Sequence, residues 1–501
     1  MSHGGGSFKK ELSVYSLLAM SLGTVIGSGW LLLPGIVASQ AGPAAVISWI
    51  LGGCGVLIVA LVYSELGATW PAAGAVAKYP GLSHGRFTGH MAGWAAFIAY
   101  AVTPPAEAVA VVKYAAVKYP SLVNPKTQGL TLLGIAIAIL ILAVIGLLNY
   151  VGVKYLGIFE NYVTALKYIP IAVFVVFIGF LAFHSSNFTA FGGFVPHGPS
   201  GILLGTSSTV FAYIGLRQAL DFGSEAKNPG KDIPRALIGT VVIAMITYIL
   251  ISIVMVGGLN WSALASNNPH VVKGQWSSLS HLDAPMYAVA GATGLGLVAA
   301  LILADGIISP NGPNASNVGS VPRVAYTMAE DGTMPKLFQR LHPKYGTPGA
   351  GLLVCFVLEI FFLFITSAGY NNLISVINVA VMVAYALGPV SMGALRKTAP
   401  HVDRPYRISG ARFLAPLAFV IASLLLYWEK WPLTGEMLGI LLFGALIYAA
   451  YAYWGNVSLS SVMNGLWLIG YLISMAVISY LGSSKFGGRN IIPFGWDILV
   501  I

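Results

Sequence analysis

From Tyr15 to Leu481 the chain alternates between long apolar runs and short polar connections. This pattern narrows the fold more than any other feature. A helix needs about 20 mostly apolar residues to cross the hydrocarbon of a bilayer. Within lipid every backbone N–H and C=O must be satisfied by the protein itself, so only helices and closed barrels can span. Barrel strands would read as alternating segments of about ten residues, whereas these runs are longer and continuous. The predicted class is an all-α polytopic membrane protein with about thirteen spans, near 15–39, 43–69, 87–117, 129–149, 155–183, 200–224, 234–259, 284–316, 347–367, 372–395, 412–429, 433–454 and 461–481. The first run is longer than the apolar core of a cleavable signal, about 7–15 residues, and is expected to remain as a span. The final "NIIPFGWDILVI" is too short to cross; it either begins a fourteenth helix or lies at the interface.

Charge supports the same class. Only 8% of residues are charged, against about 25% in a soluble domain. The net charge of +10 would suggest nucleic acid in a soluble chain. Here it is accounted for by basic loops on the cytoplasmic side. Placing the N-terminus in the cytoplasm, with Lys9 and Lys10, puts Lys227, Lys231, Arg235, Arg396, Lys397, Arg404 and Arg407 on that side. The opposite loops then hold only Lys118, Lys126, Lys273, Lys430, Lys485 and Arg489. The expectation is a cell-membrane protein with a cytoplasmic N-terminus and no nucleic-acid partner; oligomeric state is not constrained. Cys54 and Cys355 both lie in apolar runs and form no disulfide or metal framework.

Two spans carry residues that weaken a helix at its centre. "GTVIGSGW", Gly23 to Trp30, places three glycines and a serine in the middle of the first run, and these are poor helix formers. The small residues either let another helix pack closely or open the backbone where it lines a cavity. "STVFAYIGLRQALDFGSEAKNP" places Gly215 at the centre of the sixth run. By the orientation above, span 1 runs outward and span 6 inward. Interrupted spans at matching positions of oppositely oriented halves point to an inverted-repeat transporter, with spans 1–5 and 6–10 as the repeats. The half-helix starting near Gly29 would offer N–H groups and a positive dipole end to a carboxylate. The half-helix ending near Tyr213 would offer carbonyls to an ammonium. The pair suits the backbone of an α-amino acid, with Phe211 and Tyr213 walling the site or simply packing.

The residues also carry a resemblance. "GTVIGSGWLLLPG", "FAYIGLRQALDFGSEAKNPGKDIPRAL", "YSELGATWPAAGA" and "PRVAYTMAEDGTMPKLFQRLHPKYGTP" resemble, in order, stretches of amino acid permeases of the amino acid–polyamine–organocation superfamily. The likeness covers about the first 400 residues. The C-terminal third looks most like the prokaryotic branch that includes aspartate–proton symporters, which commonly carry fourteen helices. The resemblance implies a leucine-transporter-like 5+5 fold with discontinuous helices 1 and 6, a core over residues 1–396 and accessory helices over 412–501. It places Val25, Ile26, Gly27, Ser28 and Gly29 with Phe211, Tyr213, Ile214 and Gly215 at the substrate. Ser28 and Gly29 would meet the carboxylate through backbone N–H groups, and the carbonyls of Val25, Phe211 and Ile214 would hold the ammonium. Many relatives have Glu two residues after the span 6 glycine; this chain has Arg217. Arg217 either reads a side-chain carboxylate or pairs with Asp221 or Glu225 on the same face.

Ionisable residues inside spans are functional candidates by default. Lys167, near the middle of span 5, lies where the resembling permeases carry a Lys in place of a bound cation. It either exchanges the coupling proton or ties span 5 to the carbonyls of span 1 or 8. Glu107, after Pro104 and Pro105, either contacts substrate or makes a structural hydrogen bond. Lys113 is expected to snorkel, and Glu65, Asp305 and Glu359 to cap or bridge helices. "ISPNGPN" is expected to break span 8 beside Lys167, and "EDG" to stop the helix that follows. With neither HExxH nor GxSxG in the sequence, an enzyme is not expected, nor a cofactor or metal. The expected function is secondary active transport of amino acids by alternating access, as proton-coupled symport, with an exchanger and, from another class, a channel or receptor as the alternatives; the proton is the expected coupling ion.

Overall fold

The computed structural model describes Lys10 and residues 12–72, 74–127, 129–151, 153–342, 347–365, 370–454 and 460–501, without the side chains of 153–161, 365 and 460. Lys9, on which the orientation partly rests, lies outside the described residues. The fold is helical, and among the described residues the β-pairing consists of two isolated bridges, Leu12 with Ala226 and Val123 with Leu130. Among the described residues, eight stretches are long and apolar enough to cross a membrane, and Val14–Val25, Gly349–Phe364, Ala411–Tyr427 and Leu466–Leu481 are shorter apolar helices.

The first span is split into α1 (Val14–Val25) and α2 (Ser28–Ala41). Ser13 caps α1 by accepting from the Ser16 N–H. Next come α3 (Ala45–Thr69), α4 (Ala75–His84), α5 (Arg86–Ala116), α6 (Leu132–Val151) and α7 (Val153–Leu181). The short α4 lies between spans 2 and 3. The sixth span comprises α8 (Gly198–Thr209), eight residues of tight 3-10 turns from Val210 to Arg217, and the single turn α9 (Gln218–Asp221). Then follow α10 (Pro229–Gly257) and the surface helix α11 (Trp261–Asn267).

The eighth span is divided more than the sequence suggests, into α12 (Pro285–Ala292), α13 (Gly296–Ile308) and α14 (Asn311–Glu330). The break at Ser309 and Pro310 falls inside "ISPNGPN". At the far end Gly332, at φ 76°, follows Asp331 and stops α14 as "EDG" foretells. The remaining helices are α15 (Gly349–Ile365), α16 (Tyr370–Thr398), α17 (Ala411–Tyr427), α18 (Leu433–Tyr453), α19 (Ser460–Met463), α20 (Leu466–Leu481) and α21 (Trp496–Val500). The C-terminal tail folds back on the bundle: Asp497 accepts from the Tyr427 hydroxyl at 2.6 Å.

The core is shared by helices distant in sequence. α3 packs along α10, and α5 along both α14 and α16. Two contacts fix the directions of the interrupted spans. The Leu12 N–H donates to the Glu225 carbonyl at 2.9 Å, and the Lys227 N–H to the Leu12 carbonyl at 2.9 Å. The entry to α1 and the exit from α9 therefore lie at the same end of the bundle, so spans 1 and 6 run in opposite directions.

Candidate functional site

The break in span 1 is two residues long. Ile26 leaves helical geometry at φ −92°, ψ 94°, and Gly27 follows at φ −138°, ψ −133°. Gly23, Thr24 and Val25 stay in α1, while Ser28 and Gly29 already belong to α2, so the opening is narrower than Gly23–Trp30. Gly27 is required by proximity: a Cβ there would overlap the Pro313 ring and lie 3.1 Å from both carboxylate oxygens of Glu107.

Every interruption of a buried helix must have its freed backbone groups satisfied. Here the partners of the backbone groups come from three other helices, α5, α7 and α10. The Ser28 N–H, at the positive end of α2, donates to Glu107 Oε2 at 2.9 Å. The Lys167 ammonium donates to the carbonyls of Gly23 and Ile26, each at 2.8 Å. The Tyr248 hydroxyl donates to the Val25 carbonyl at 2.9 Å. The Ser28 hydroxyl is 2.6 Å from the Tyr370 hydroxyl, and the Trp30 indole N–H donates to Asp305 Oδ2 at 3.0 Å. Lys167, Glu107 and Asp305 are all buried. Behind Lys167 stands Gly312, where a Cβ would overlap the ammonium, so the broken eighth span does lie beside this lysine.

The sixth span meets the first backbone to backbone. A Cβ on Gly215 would lie 2.6 Å from the Thr24 carbonyl carbon and 2.9 Å from Val25 Cα. Gly29 faces Ala212, whose Cα is 3.4 Å from the corresponding position. The two readings of these glycines, close packing and opened backbone, are thus both realised. The span 6 interruption is an overwound 3-10 stretch rather than an extended one. Such mid-helix stretches often mark hinges or strain. The Ile214 carbonyl accepts from the Tyr385 hydroxyl at 3.3 Å.

Several expectations change on this geometry. The carbonyls of Val25 and Ile214, expected to face a ligand ammonium, hold the hydroxyls of Tyr248 and Tyr385. The Ser28 N–H, expected to face a ligand carboxylate, holds that of Glu107. Phe211 meets Tyr370 edge to face at 6.2 Å, consistent with a wall over Ser28. Tyr213 is not part of that wall: it packs against Trp49 and Tyr248 and donates to the Trp49 carbonyl at 3.2 Å. Tyr370 also lines a cavity of about 80 Å³, beside an ion pair of Lys113 with Asp283 at 2.7 Å; Lys113 is therefore paired rather than merely snorkelling.

The expected pairing of Arg217 with Asp221 is not formed. Arg217 stacks on the Tyr100 ring, 3.2 Å from its centroid, and donates from Nη2 to Asn317. Its Nε and Nη1 have no hydrogen-bond partner, and neither do the two carboxylate oxygens of Asp221. The turn from Arg217 to Asp221 is α-helical, as the i, i+4 spacing assumes, but the guanidinium is held by the Tyr100 ring and Asn317 instead. Glu65 behaves as expected of a bridging residue, accepting from Arg396 at 2.8 and 2.5 Å.

Sequence reasoning missed Tyr248, Tyr370, Tyr385 and Asn317. The signal available was a polar group at mid-span in an apolar run, but periodicity does not say which break a hydroxyl on another helix will reach.

The sequence comparisons fit this architecture. A family model described as amino acid permease matches residues 12–474. The chain belongs to the amino acid permease family. This permease is 38% identical to the glutamate/serine transporter AimA of Bacillus subtilis over 98% of its own length and 91% of the relative's. It is 33% identical to the aspartate-proton symporter of the same organism, over 99% and 94% of the two chains. It is 29% identical to the serine/threonine exchanger SteT, over 83% and 92%. The permease is accordingly a multi-pass membrane transporter of amino acids and not an enzyme. At the α1–α2 break an ammonium, that of Lys167, sits on freed carbonyls and a carboxylate, that of Glu107, on a freed N–H; these are the two groups that the backbone of an α-amino acid carries.

Proposed function

We propose that the permease moves α-amino acids across the cell membrane by proton-coupled alternating access, with its N-terminus in the cytoplasm. Residues 1–396 form the transporting core in this reading and 412–501 an accessory layer. The observation that carries it is the Lys167 ammonium bridging the Gly23 and Ile26 carbonyls across the α1–α2 break. A hydrogen bond to a charged donor contributes about 1.5–3 kcal/mol net. Loss of the Lys167 proton weakens two such bonds together and lets the break rearrange. The substrate carboxylate takes the Ser28 N–H from Glu107, and the adjoining carbonyls become available to its ammonium as the tyrosine hydroxyls move. The site is closed toward the cavity beside Lys113 by Tyr370 and Phe211.

Arg217 supports a substrate with a carboxylate side chain. It is fully buried, two residues beyond the Gly215 crossing, with two nitrogens available. The named substrates of the glutamate/serine and aspartate relatives agree with this reading.

The test is uptake of labelled amino acids into proteoliposomes, with and without an inward proton gradient. Acidic amino acids accumulate into initially empty vesicles when the outside is acid. Lys167→Ala abolishes the gradient-driven component while the protein remains folded, and Arg217→Gln selectively impairs acidic substrates. Undiminished gradient-driven uptake by Lys167→Ala would overturn the coupling role. Uptake that requires amino acid inside the vesicles would identify an exchanger instead.

A further inference from the structure

Where α16 and α17 approach each other at their basic ends, a groove of about 1060 Å³ runs between them. Its mouth carries Arg396, Lys397, Arg407 and Arg412, and its length is lined by apolar side chains such as Met392, Ala415 and Phe419. One of these charges is already committed: Arg396 is bound to the buried Glu65, which Arg404 also approaches at 3.5 Å. Lys397, Arg407 and Arg412 are exposed, and among the described residues none of them makes an ion pair. Asp403, on the connecting loop, pairs with none of them. His84 also lines the mouth. Its partial burial lowers the imidazole pKa, which disfavours a further charge at the mouth.

We infer that this groove binds one anionic phospholipid, its phosphate on Lys397, Arg407 and Arg412 and an acyl chain along the seam between α16 and α17. Charge complementarity selects the headgroup, since basic pockets between spanning helices suit anionic lipid phosphates. The dimensions select a lipid over a free anion. From Lys397 to Pro389 the lining extends for eight residues of α16, about 12 Å at the helical rise, and a leaflet of the hydrocarbon core is about 15 Å deep. Nothing fills the seam at Gly393, where an added Cβ would meet no atom within 4 Å. The inference requires only that the chain spans a bilayer and is independent of the transport cycle proposed above.

The test is native mass spectrometry of the full purified chain in micelles doped with phosphatidylglycerol or with phosphatidylcholine, together with the thermal midpoint in each. One phosphatidylglycerol is expected to be retained and to raise the midpoint, whereas phosphatidylcholine and inorganic phosphate do neither. Each of Arg407→Gln and Arg412→Gln should weaken retention about fivefold, following the attraction of a single basic residue to an anionic surface. Gly393→Leu keeps every charge but fills the seam, and should also abolish retention. Equal retention of the two lipids would overturn the inference. So would full retention by the double Arg variant or by Gly393→Leu, or an equal effect of inorganic phosphate alone.

Discussion

Replacing Gly215 with alanine isolates the contact on which the site's geometry depends. The new methyl would lie 2.6 Å from the Thr24 carbonyl carbon and 2.9 Å from Val25 Cα, where carbon atoms prefer about 3.5–4.0 Å. All three atoms nearest to it belong to backbone, and that backbone is pinned. Tyr248 holds the Val25 carbonyl, and Lys167 holds those of Gly23 and Ile26. Relief therefore requires the two interrupted spans to separate, not a side chain to rotate. Overpacking of this kind costs about 1–3 kcal/mol, which lowers the population of the closed crossing by about 5- to 150-fold. Gly29→Ala is the internal control. Its methyl would meet Tyr248 Oη at 3.3 Å and Ala212 at 3.4 Å, which small shifts can accommodate. The measurements are the thermal midpoint of purified protein and the initial rate of uptake in proteoliposomes. Gly215→Ala should lower both markedly, and Gly29→Ala only slightly. Wild-type behaviour of Gly215→Ala, or a larger defect in Gly29→Ala, would refute the claim that the spans cross at Gly215.

Further outcomes follow from the same geometry. Glu107→Gln leaves an acceptor for the Ser28 N–H but removes its charge, a difference of about 1 kcal/mol between charged and neutral hydrogen bonds. If Glu107 competes with the substrate carboxylate, equilibrium binding at neutral pH should tighten about fivefold, and weaker binding would contradict that competition. Glu65→Ala leaves Arg396 and Arg404 without their shared carboxylate and should destabilise the protein by about 3–5 kcal/mol, read as a large fall in thermal midpoint. Lys113→Ala removes a partly exposed ion pair with Asp283; a stability change of about 1 kcal/mol or less is expected, so a midpoint loss as large as that of Glu65→Ala would be inconsistent with the surface setting of the pair.

How far the sequence could be read depended on whether a feature was local. The glycines of "GTVIGSGW" bracketed the first break, Ile26 and Gly27, because helix propensity acts residue by residue. "EDG" ended α14 at the position expected, because Gly332 supplies the left-handed turn that ends a helix. Arg217 was a different case: α-helical spacing does bring Asp221 to the following turn, but Tyr100 and Asn317, from other helices, take the guanidinium. Tyr213 was placed at the substrate by its chain position, yet tertiary packing commits it to Trp49.

By itself the sequence determined that this chain crosses a membrane repeatedly, that its first and sixth spans carry helix-weakening residues at mid-span, and that Lys167 and Glu107 are ionisable groups within spans that require partners. Length, apolar content and glycine placement decide those points without reference to any other part of the chain. Only the tertiary structure decided which partners they take: Gly23 and Ile26 for Lys167, Ser28 for Glu107, and the hydroxyls of Tyr248 and Tyr385 for two carbonyls of the breaks. The reason is that a freed backbone group in a nonpolar interior must be satisfied, but nothing local specifies from which of the surrounding helices the satisfying group arrives.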